Sequence, residues 1–358
     1  MEKNNVLNSK AHEREGFDMT YEEVLKNAKT CVGEICKACP VCNGRACGSK
    51  MPGPGAKGTG TVAIKNYEEW QKIALNMDTI CENKPIDTSL EIFGQSFKYP
   101  FFAAPIGAMK LHYGDKYDDL QYNDILVSAC ADAGIAAFTG DGTNPAVMVG
   151  ATKAIKAKEG KGIPTVKPWD VNTLEEKFAL VKEANSFAVA MDIDAAGLPF
   201  LKNLTPPAGS KTVEELKEII AGAGVPFIIK GIMTVKGALK AKEAGAKAIV
   251  VSNHGGRVLD QCAPTAAVLE EIVEAVGDDM KIFVDGGIRT GLDIFKAITL
   301  GADAVLIGRP FVVSVYGGAA EGVEAYVEKL GAELRDAMAM CGAHSLDEIT
   351  RDMVRWLV

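Results

Sequence analysis

At 358 residues the chain is long enough for one large domain with an appendage, a more natural division than three small domains. Apolar residues make up 47% and charged residues 24%, the balance of a soluble protein with a sizeable core. The formal net charge of −8 repels a polyanion, which argues against nucleic acid as a partner, and no apolar run is long enough to cross a bilayer.

The opening segment, MEKNNVLNSKAHEREGFD, is polar from its first residues and lacks the pattern of a secretory signal, so a cytoplasmic location is expected. Residues 1–98 have an irregular texture and are predicted to form an N-terminal extension covering one end of the domain built by the remaining residues. Five of the nine cysteines, Cys31, Cys36, Cys39, Cys42 and Cys47, fall in one short stretch of it. A disulfide framework is not expected in a reducing compartment. The spacing Cys36-x2-Cys39-x2-Cys42-x4-Cys47 lets four thiolates converge on one centre, either a tetrahedral zinc or an iron–sulfur cluster. A free reactive thiol or a regulatory disulfide is the other reading. Cys81, Cys130, Cys262 and Cys341 stand alone and read as small buried hydrophobes. The stretch Gly53-Pro-Gly-Ala-Lys-Gly58 formally matches GxGxxG, but it follows no strand and opens no evident helix, so it reads as an ordinary loop.

From residue 99 a regular alternation sets in. Short apolar or β-branched runs occur at 101–106, 136–140, 164–168, 187–194, 226–232, 248–253, 281–287 and 304–310. Helix-like stretches such as TVEELKEIIAGAG, TVKGALKAKEAGA and RTGLDIFKAITLGA separate them, several ending in glycine. Near-continuous apolar strands between amphipathic helices predict a parallel sheet buried on both faces. Eight such units suit a closed (β/α)8, or TIM, barrel in the α/β class over residues 99–358, with closing helices from Phe311 to the end. A doubly wound open sheet is the second choice.

In such barrels the chemistry lies at the C-terminal ends of the strands. Strand 4 ends in Asp192 and Asp194, strand 5 in Lys230, and strand 6 in Ser252-Asn253-His254-Gly255-Gly256-Arg257. Strand 7 ends in Asp285-Gly286-Gly287-Ile288-Arg289 and strand 8 in Gly308-Arg309-Pro310. Glycines directly after a strand let backbone N–H groups approach an anion, and Arg289 and Arg309 add bidentate contacts, so a phosphate site is expected there. Two such loops side by side weigh against their being mere tight turns. His254 places an imidazole general base beside Arg257, whose guanidinium grips a carboxylate. Lys230, a cation at an apolar strand end, needs a negative partner. Lys230 is therefore either catalytic, the favoured reading, or one half of an ion pair across the barrel.

The segment KAIVVSNHGGRVLDQCAPTAAVLEEIV, followed by KIFVDGGIRTGLDIFKAITLGADAVLIGRP, closely resembles the FMN-dependent 2-hydroxy-acid oxidase/dehydrogenase family, to which glycolate oxidase and lactate oxidase belong. The likeness is strong from Pro226 to Ile349 and weaker from FFAAPIGAM onward. It implies oxidation of a small 2-hydroxy acid such as lactate or glycolate to the 2-oxo acid, with FMN taking two electrons, and the enzyme is expected to be a homo-oligomer. It implies His254 as the base, Arg257 on the substrate carboxylate, and Asp194 paired with His254 to raise its basicity. Lys230 would stand near flavin N1 and O2. Ser252, Asp285, Gly286, Gly287, Arg289, Gly308 and Arg309 would hold the cofactor, with Ala104, Pro105 and Ile106 against the ring.

The chain also departs from the family. After the strand-4 aspartate it reads AAGLPFLKN, with Lys202 in place of a second substrate arginine. PTVKPW offers Lys167 and Trp169 where the family has a strand-3 tyrosine, and the cysteine stretch replaces an N-terminal tyrosine motif. Proton abstraction by His254 and hydride transfer to N5 both fit the residues, and oxygen, a quinone or another protein are all open as electron acceptor. An iron–sulfur cluster would take electrons singly from reduced FMN, whereas a zinc would fold the appendage. An FMN-dependent isomerase of the type 2 isopentenyl-diphosphate kind is one rival, although it would not require the His254–Arg257 pair. A flavin and iron–sulfur redox module without its own turnover is another.

Overall fold

A computed structural model describes residues 19–198, 201 and 208–357. Eight short strands make one parallel sheet: β1 (Phe101–Ala103), β2 (Phe138–Thr139), β3 (Ile163–Val166), β4 (Val189–Asp192), β5 (Phe227–Ile232), β6 (Ala248–Val251), β7 (Lys281–Asp285) and β8 (Ala304–Ile307). Each pairs with the next, and β8 pairs with β1 through Val305–Phe101, Leu306–Phe102 and Ile307–Ala103. The bridge Ala103–Ala137 joins β1 to β2, so the sheet closes on itself. Barrel strands are covered inside by one another and outside by helices, which is why nearly every strand residue is apolar and buried. Phe102, Phe138 and Phe283, from β1, β2 and β7, meet with centroids 5.9–6.5 Å apart. Seven of the eight strands lie within the predicted runs, and β3 begins one residue early, at Ile163.

The helices that follow the strands in turn are α1 (Asp119–Asp132), α2 (Pro145–Ala157), α3 (Val171–Glu183), α4 (Val213–Ala223), α5 (Val235–Glu243), α6 (Thr265–Val276), α7 (Gly291–Thr299) and α8 (Arg309–Cys341). Their starts are written locally. Asp118 with Gln121, Thr212 with Glu215 and Thr290 with Asp293 form reciprocal capping boxes, and Asn144 caps α2 with Pro145 at its first position. α8 starts at Arg309, two residues before the expected closing segment, and kinks at Ala319.

Four expectations need correction. The end of the chain is not helical throughout: after α8 it forms a short strand, Val354–Trp356, antiparallel to Ile73–Leu75 of the N-terminal segment. The N-terminal segment, in turn, reaches both ends of the barrel rather than one. A hairpin of Leu90–Ile92 and Gln95–Phe97 sits at the N-terminal ends of the strands, where Phe97 meets Phe102 edge-on at 4.8 Å and Lys98 N–H bonds the Gly134 carbonyl. The helix Thr61–Gln71 and the loop before it lie at the opposite end, against the loops after β6 and β7. That helix opens directly after Gly60, so the glycine stretch does lead into a helix. Another helix, Tyr21–Ala28, packs on α8 with Tyr21 stacked on Tyr326 at 4.7 Å. Among the isolated cysteines, Cys130 and Cys341 are buried as expected, but Cys81 is exposed and Cys262 half-buried.

The contact between helix 61–71 and the loops after β6 and β7 is polar and buried. Asn66 and Asn253, both essentially inaccessible, exchange two amide hydrogen bonds of 2.8 Å, and Trp70 Nε1 donates to the Gly286 carbonyl at 2.8 Å. Asn66→Ala strands the Asn253 carbonyl in a dry site. It is expected to lower stability by about 1–3 kcal/mol, read as a drop in the urea midpoint at unchanged slope.

Candidate active site

The C-terminal ends of the strands open into one cavity of about 460 Å3. Its walls include Ala104, Pro105 and Ile106 after β1, Lys230 on β5, His254 and Arg257 after β6, Asp285, Gly286, Gly287 and Arg289 after β7, and Gly308 and Arg309 after β8. The structure thus brings together in one space most of the residues expected to carry the chemistry. Asp194 and Ser252 stand just behind. His254 Nδ1 lies 3.1 Å from Asp194 Oδ1, and Lys230 Nζ donates to Ser252 Oγ at 3.1 Å. Lys202 lies outside the described residues.

The electrostatics follow from burial. Burial by itself pushes the Asp194 carboxyl up, but His254, hydrogen-bonded to it, and the Lys230 ammonium outweigh this and hold it below the usual carboxylate range. An ionised carboxylate only accepts, so Nδ1 carries the proton and Nε2 of His254 is left as the acceptor. Burial would likewise drive the Lys230 ammonium down. Asp285, Asp194 and Asp192 surround it and hold it above its ordinary value. Asp192, Asp194 and His254 present ligand atoms within 4.8 Å of one another, a spacing that also suits a metal. Lys230 and Lys167, the latter 2.6 Å from Asp192 Oδ2, already supply the positive charge there.

Gly286 and Gly287 both adopt positive φ, at 92° and 86°. A Cβ on Gly287 would fall 2.1 Å from the Asn66 carbonyl oxygen, and one on Gly286 2.8 Å from Asn66 Nδ2. Close approach of the N-terminal helix, as much as any ligand, demands glycine here. The arginines are anchored by the same segment. Arg289 Nε donates to the Cys42 carbonyl at 2.6 Å, Arg309 Nη1 lies 3.7 Å from Cys47 Sγ, and Arg257 Nη1 donates to the Gly53 and Gly55 carbonyls. Gly53 and Pro54 line the cavity, so the loop taken as ordinary is a wall of the site.

Sequence reasoning missed His112 and Asp119 in the loop and helices after β1, and Asp141 after β2, all lining the cavity. Lys167, noted only as standing where the family has tyrosine, is another wall, and its charge is spent on Asp192. Asp141 accepts from Trp169 Nε1 at 2.7 Å and from Lys177 Nζ at 2.8 Å. His112 Nε2 receives Arg257 Nη2 at 3.1 Å, and its Nδ1 is buried without a partner among the described residues. No motif marks these positions; the available signal was their place just after a strand end.

Cys36, Cys39, Cys42 and Cys47 line a second, small cavity that shares Pro54 and Arg309 with the first. Cys31 stands apart, its thiol donating to the Tyr316 carbonyl at 3.1 Å. Burial pushes the Cys36 thiol up to about 11.

The chain belongs to the FMN-dependent dehydrogenase family, which it matches over residues 54–200 and 204–356. FMN is the cofactor of that class, and the cavity suits it: two arginines stand at its β7–β8 side, Lys230 lies within, and Asp285 Oδ1 is buried without a partner among the described residues. Similar proteins include a peroxisomal (S)-2-hydroxy-acid oxidase of Oryza sativa subsp. japonica, 45% identical over 151 residues (42% of this chain, 40% of that protein). An L-lactate dehydrogenase of Vibrio parahaemolyticus is 43% identical over 150 residues (42% of this chain, 39% of that one). The chain thus spans about two fifths of the length of the curated relatives it matches. A mandelate oxidase structure superimposes with a TM-score of 0.76 at 25% identity, covering 95% of this chain and 99% of that one. Among the described residues no helix is long and apolar enough to cross a membrane.

Burial, and then the Arg257 charge, push His112 down to about 4, so it is neutral in the folded protein well below its ordinary value of 6.5. The unfolded chain therefore binds the extra proton between pH 6.5 and about 4, and stability falls as pH drops through that window, by roughly 2–3 kcal/mol from this group. His112→Gln should flatten this part of the pH–stability curve; a slope identical to wild type would contradict the assignment.

Proposed function

We propose that this protein oxidises a small 2-hydroxy acid, of the lactate or glycolate type, to the 2-oxo acid. The observation that carries the reading is the convergence of His254, Arg257 and Lys230 on the cavity that suits FMN. Arg257 grips the substrate carboxylate, its guanidinium braced by the Gly53 and Gly55 carbonyls and by His112. With Asp194 fixing the proton on Nδ1, His254 Nε2 accepts a proton from the substrate as it is oxidised, and the buried Asp194 charge stabilises the imidazolium that forms. FMN, when bound, supplies the two-electron acceptor.

On the cofactor side, Arg309, Arg289 and the loops after β7 and β8 would hold the phosphate, Ser252, Asp285, Gly286 and Gly287 the ribityl chain, and Lys230 the electron-rich edge of the ring. Ala104, Pro105 and Ile106, which line the cavity after β1, would pack against the ring. An isomerase has no use for a general base facing a carboxylate-gripping arginine, which favours oxidation. The same proposal gives Cys36, Cys39, Cys42 and Cys47 a zinc or an iron–sulfur cluster. It includes a cytoplasmic location, supported by nine cysteines that are all unpaired.

His254→Ala should retain FMN and lose about 10²–10⁴-fold in the rate of flavin reduction, followed by anaerobic mixing with lactate, glycolate and longer 2-hydroxy acids. Unchanged bleaching would remove His254 from the chemistry. Arg309→Ala removes a charge-assisted phosphate contact and should weaken FMN binding by roughly 10–100-fold. Full FMN occupancy after exhaustive dialysis would refute the phosphate assignment.

A further inference from the structure

Four cysteines at metal-binding spacing line one cavity, and that cavity shares Pro54 and Arg309 with the flavin site. Cys36, Cys39, Cys42 and Cys47 all contribute to it, whereas Cys31, the fifth cysteine of the stretch, is drawn away to the Tyr316 carbonyl and the Lys116 ammonium. The partition is selective: it leaves four thiols, the number both candidate centres require.

The spread of the sulfurs discriminates between the candidates. A tetrahedral zinc with Zn–S bonds of about 2.3 Å places its sulfurs about 3.8 Å apart. Among the described residues no three cysteine sulfurs lie within 4.8 Å of one another, although Asp192, Asp194 and His254 do. In a four-iron cluster each thiolate binds its own iron at a separate corner, so the sulfurs stand further apart. The CxxCxxC run also fits the cluster spacing, with the fourth cysteine displaced by a longer gap.

The surroundings supply charge and a route. Four thiolates around a cluster leave it negative, and Arg309, 3.7 Å from Cys47 Sγ, together with Arg289, bonded to the Cys42 carbonyl, provides buried positive charge. Arg309 and Pro54 belong to both cavities, and Arg289 also lines the flavin site. The segment is locked in this position by backbone contact: a Cβ on Gly55 would fall 2.1 Å from the Cys47 carbonyl oxygen, and one on Gly60 2.3 Å from the Gly48 carbonyl carbon. Residues 26–50 carry Lys26, Lys29, Lys37, Arg45 and Lys50 against the single carboxylate of Glu34, in a chain whose net charge is −8. Arg45 is paired with Glu68, and the excess of lysines that remains in this stretch suits an acidic electron carrier.

We propose that Cys36, Cys39, Cys42 and Cys47 hold a [4Fe–4S] cluster that serves as the one-electron exit from the flavin. The proposal rests on this protein being an FMN oxidoreductase. The cluster takes the two electrons of the reduced flavin one at a time, each time passing from its oxidised to its one-electron-reduced state. It then delivers each to an external one-electron carrier protein and returns to the oxidised state. The flavin side releases its proton to solvent, and no covalent bond in the cluster is made or broken.

The test uses the full chain, purified without oxygen and, in a parallel sample, reconstituted with ferrous iron and sulfide. The expected result is about four irons and about four acid-labile sulfides per chain, with a low-temperature EPR signal after dithionite. One zinc per chain, or no metal and four freely titrating thiols after reconstitution, overturns the proposal. Cys39→Ser should lower bound iron about fivefold or more, while Cys81→Ser, altering an exposed cysteine outside the cavity, should leave it unchanged. Equal losses in both variants would also overturn it, and if Cys39→Ser does not fold, the wild-type analysis decides alone.

The exit role is read on wild-type protein by reducing the flavin anaerobically, once with a 2-hydroxy acid and once by light with EDTA. Appearance of the reduced-cluster EPR signal in the illuminated sample supports the role, and a flavin that bleaches while the cluster stays oxidised overturns it. Failure of the hydroxy acid alone to bleach the flavin counts against the substrate reading and leaves the cluster result standing.

Discussion

The site depends on how closely the N-terminal segment seats on the C-terminal ends of β6, β7 and β8. That seating is an approach of backbone to backbone. Gly287 leaves room for the Asn66 carbonyl where a methyl group would collide at 2.1 Å, and the paired amides of Asn66 and Asn253 satisfy each other in a place water does not reach. The loops after β6 and β7 carry His254, Arg257 and Arg289, so the same contact that closes the top of the barrel sets the cavity's shape. A barrel without this segment would have the right side chains on poorly supported loops.

Charge balance is the second constraint. The strand ends bring Asp192, Asp194, Asp285, Lys167 and Lys230 into a nearly dry space, where an unpaired charge is costly. The network resolves this by surrounding Lys230 with carboxylates and by pairing Lys167 with Asp192, which leaves Asp194 to face His254. A cation at Lys167 and a tryptophan at Trp169 thus do not simply replace an absent tyrosine. They are tied to Asp192 and Asp141 and fix the rim of the pocket at β2 and β3.

Much of this was legible in the residues. Each strand coincides with its predicted run to within one residue because a strand buried on both faces must be apolar along its length. The polar residues that end β4 to β8 stood out against those runs; Lys230, His254, Arg257, Asp285, Arg289 and Arg309 meet in one cavity, with Asp194 just behind His254. The expected closing helices miss the strand Val354–Trp356, since three residues carry no periodicity and are strand only because Ile73–Leu75 lies alongside. His112 was equally hidden. Its significance is a buried ring nitrogen facing Arg257, 145 positions away in the chain.

By itself, the order of residues determined the barrel and singled out the glycine–arginine turns after β7 and β8 and the pair His254 and Arg257, proposed above to hold phosphate, proton and carboxylate, because these follow from local periodicity and from what glycine, arginine and histidine do at a strand end. Only the folded structure decided where the first 98 residues go. Their two helices, hairpin and cysteine loop have little local pattern, and their positions are set by contacts with loops some 200 residues away, such as Asn66 with Asn253 and Arg257 with Gly53. It also decided which four of five neighbouring cysteines share a cavity, a matter of side-chain direction that spacing alone does not encode.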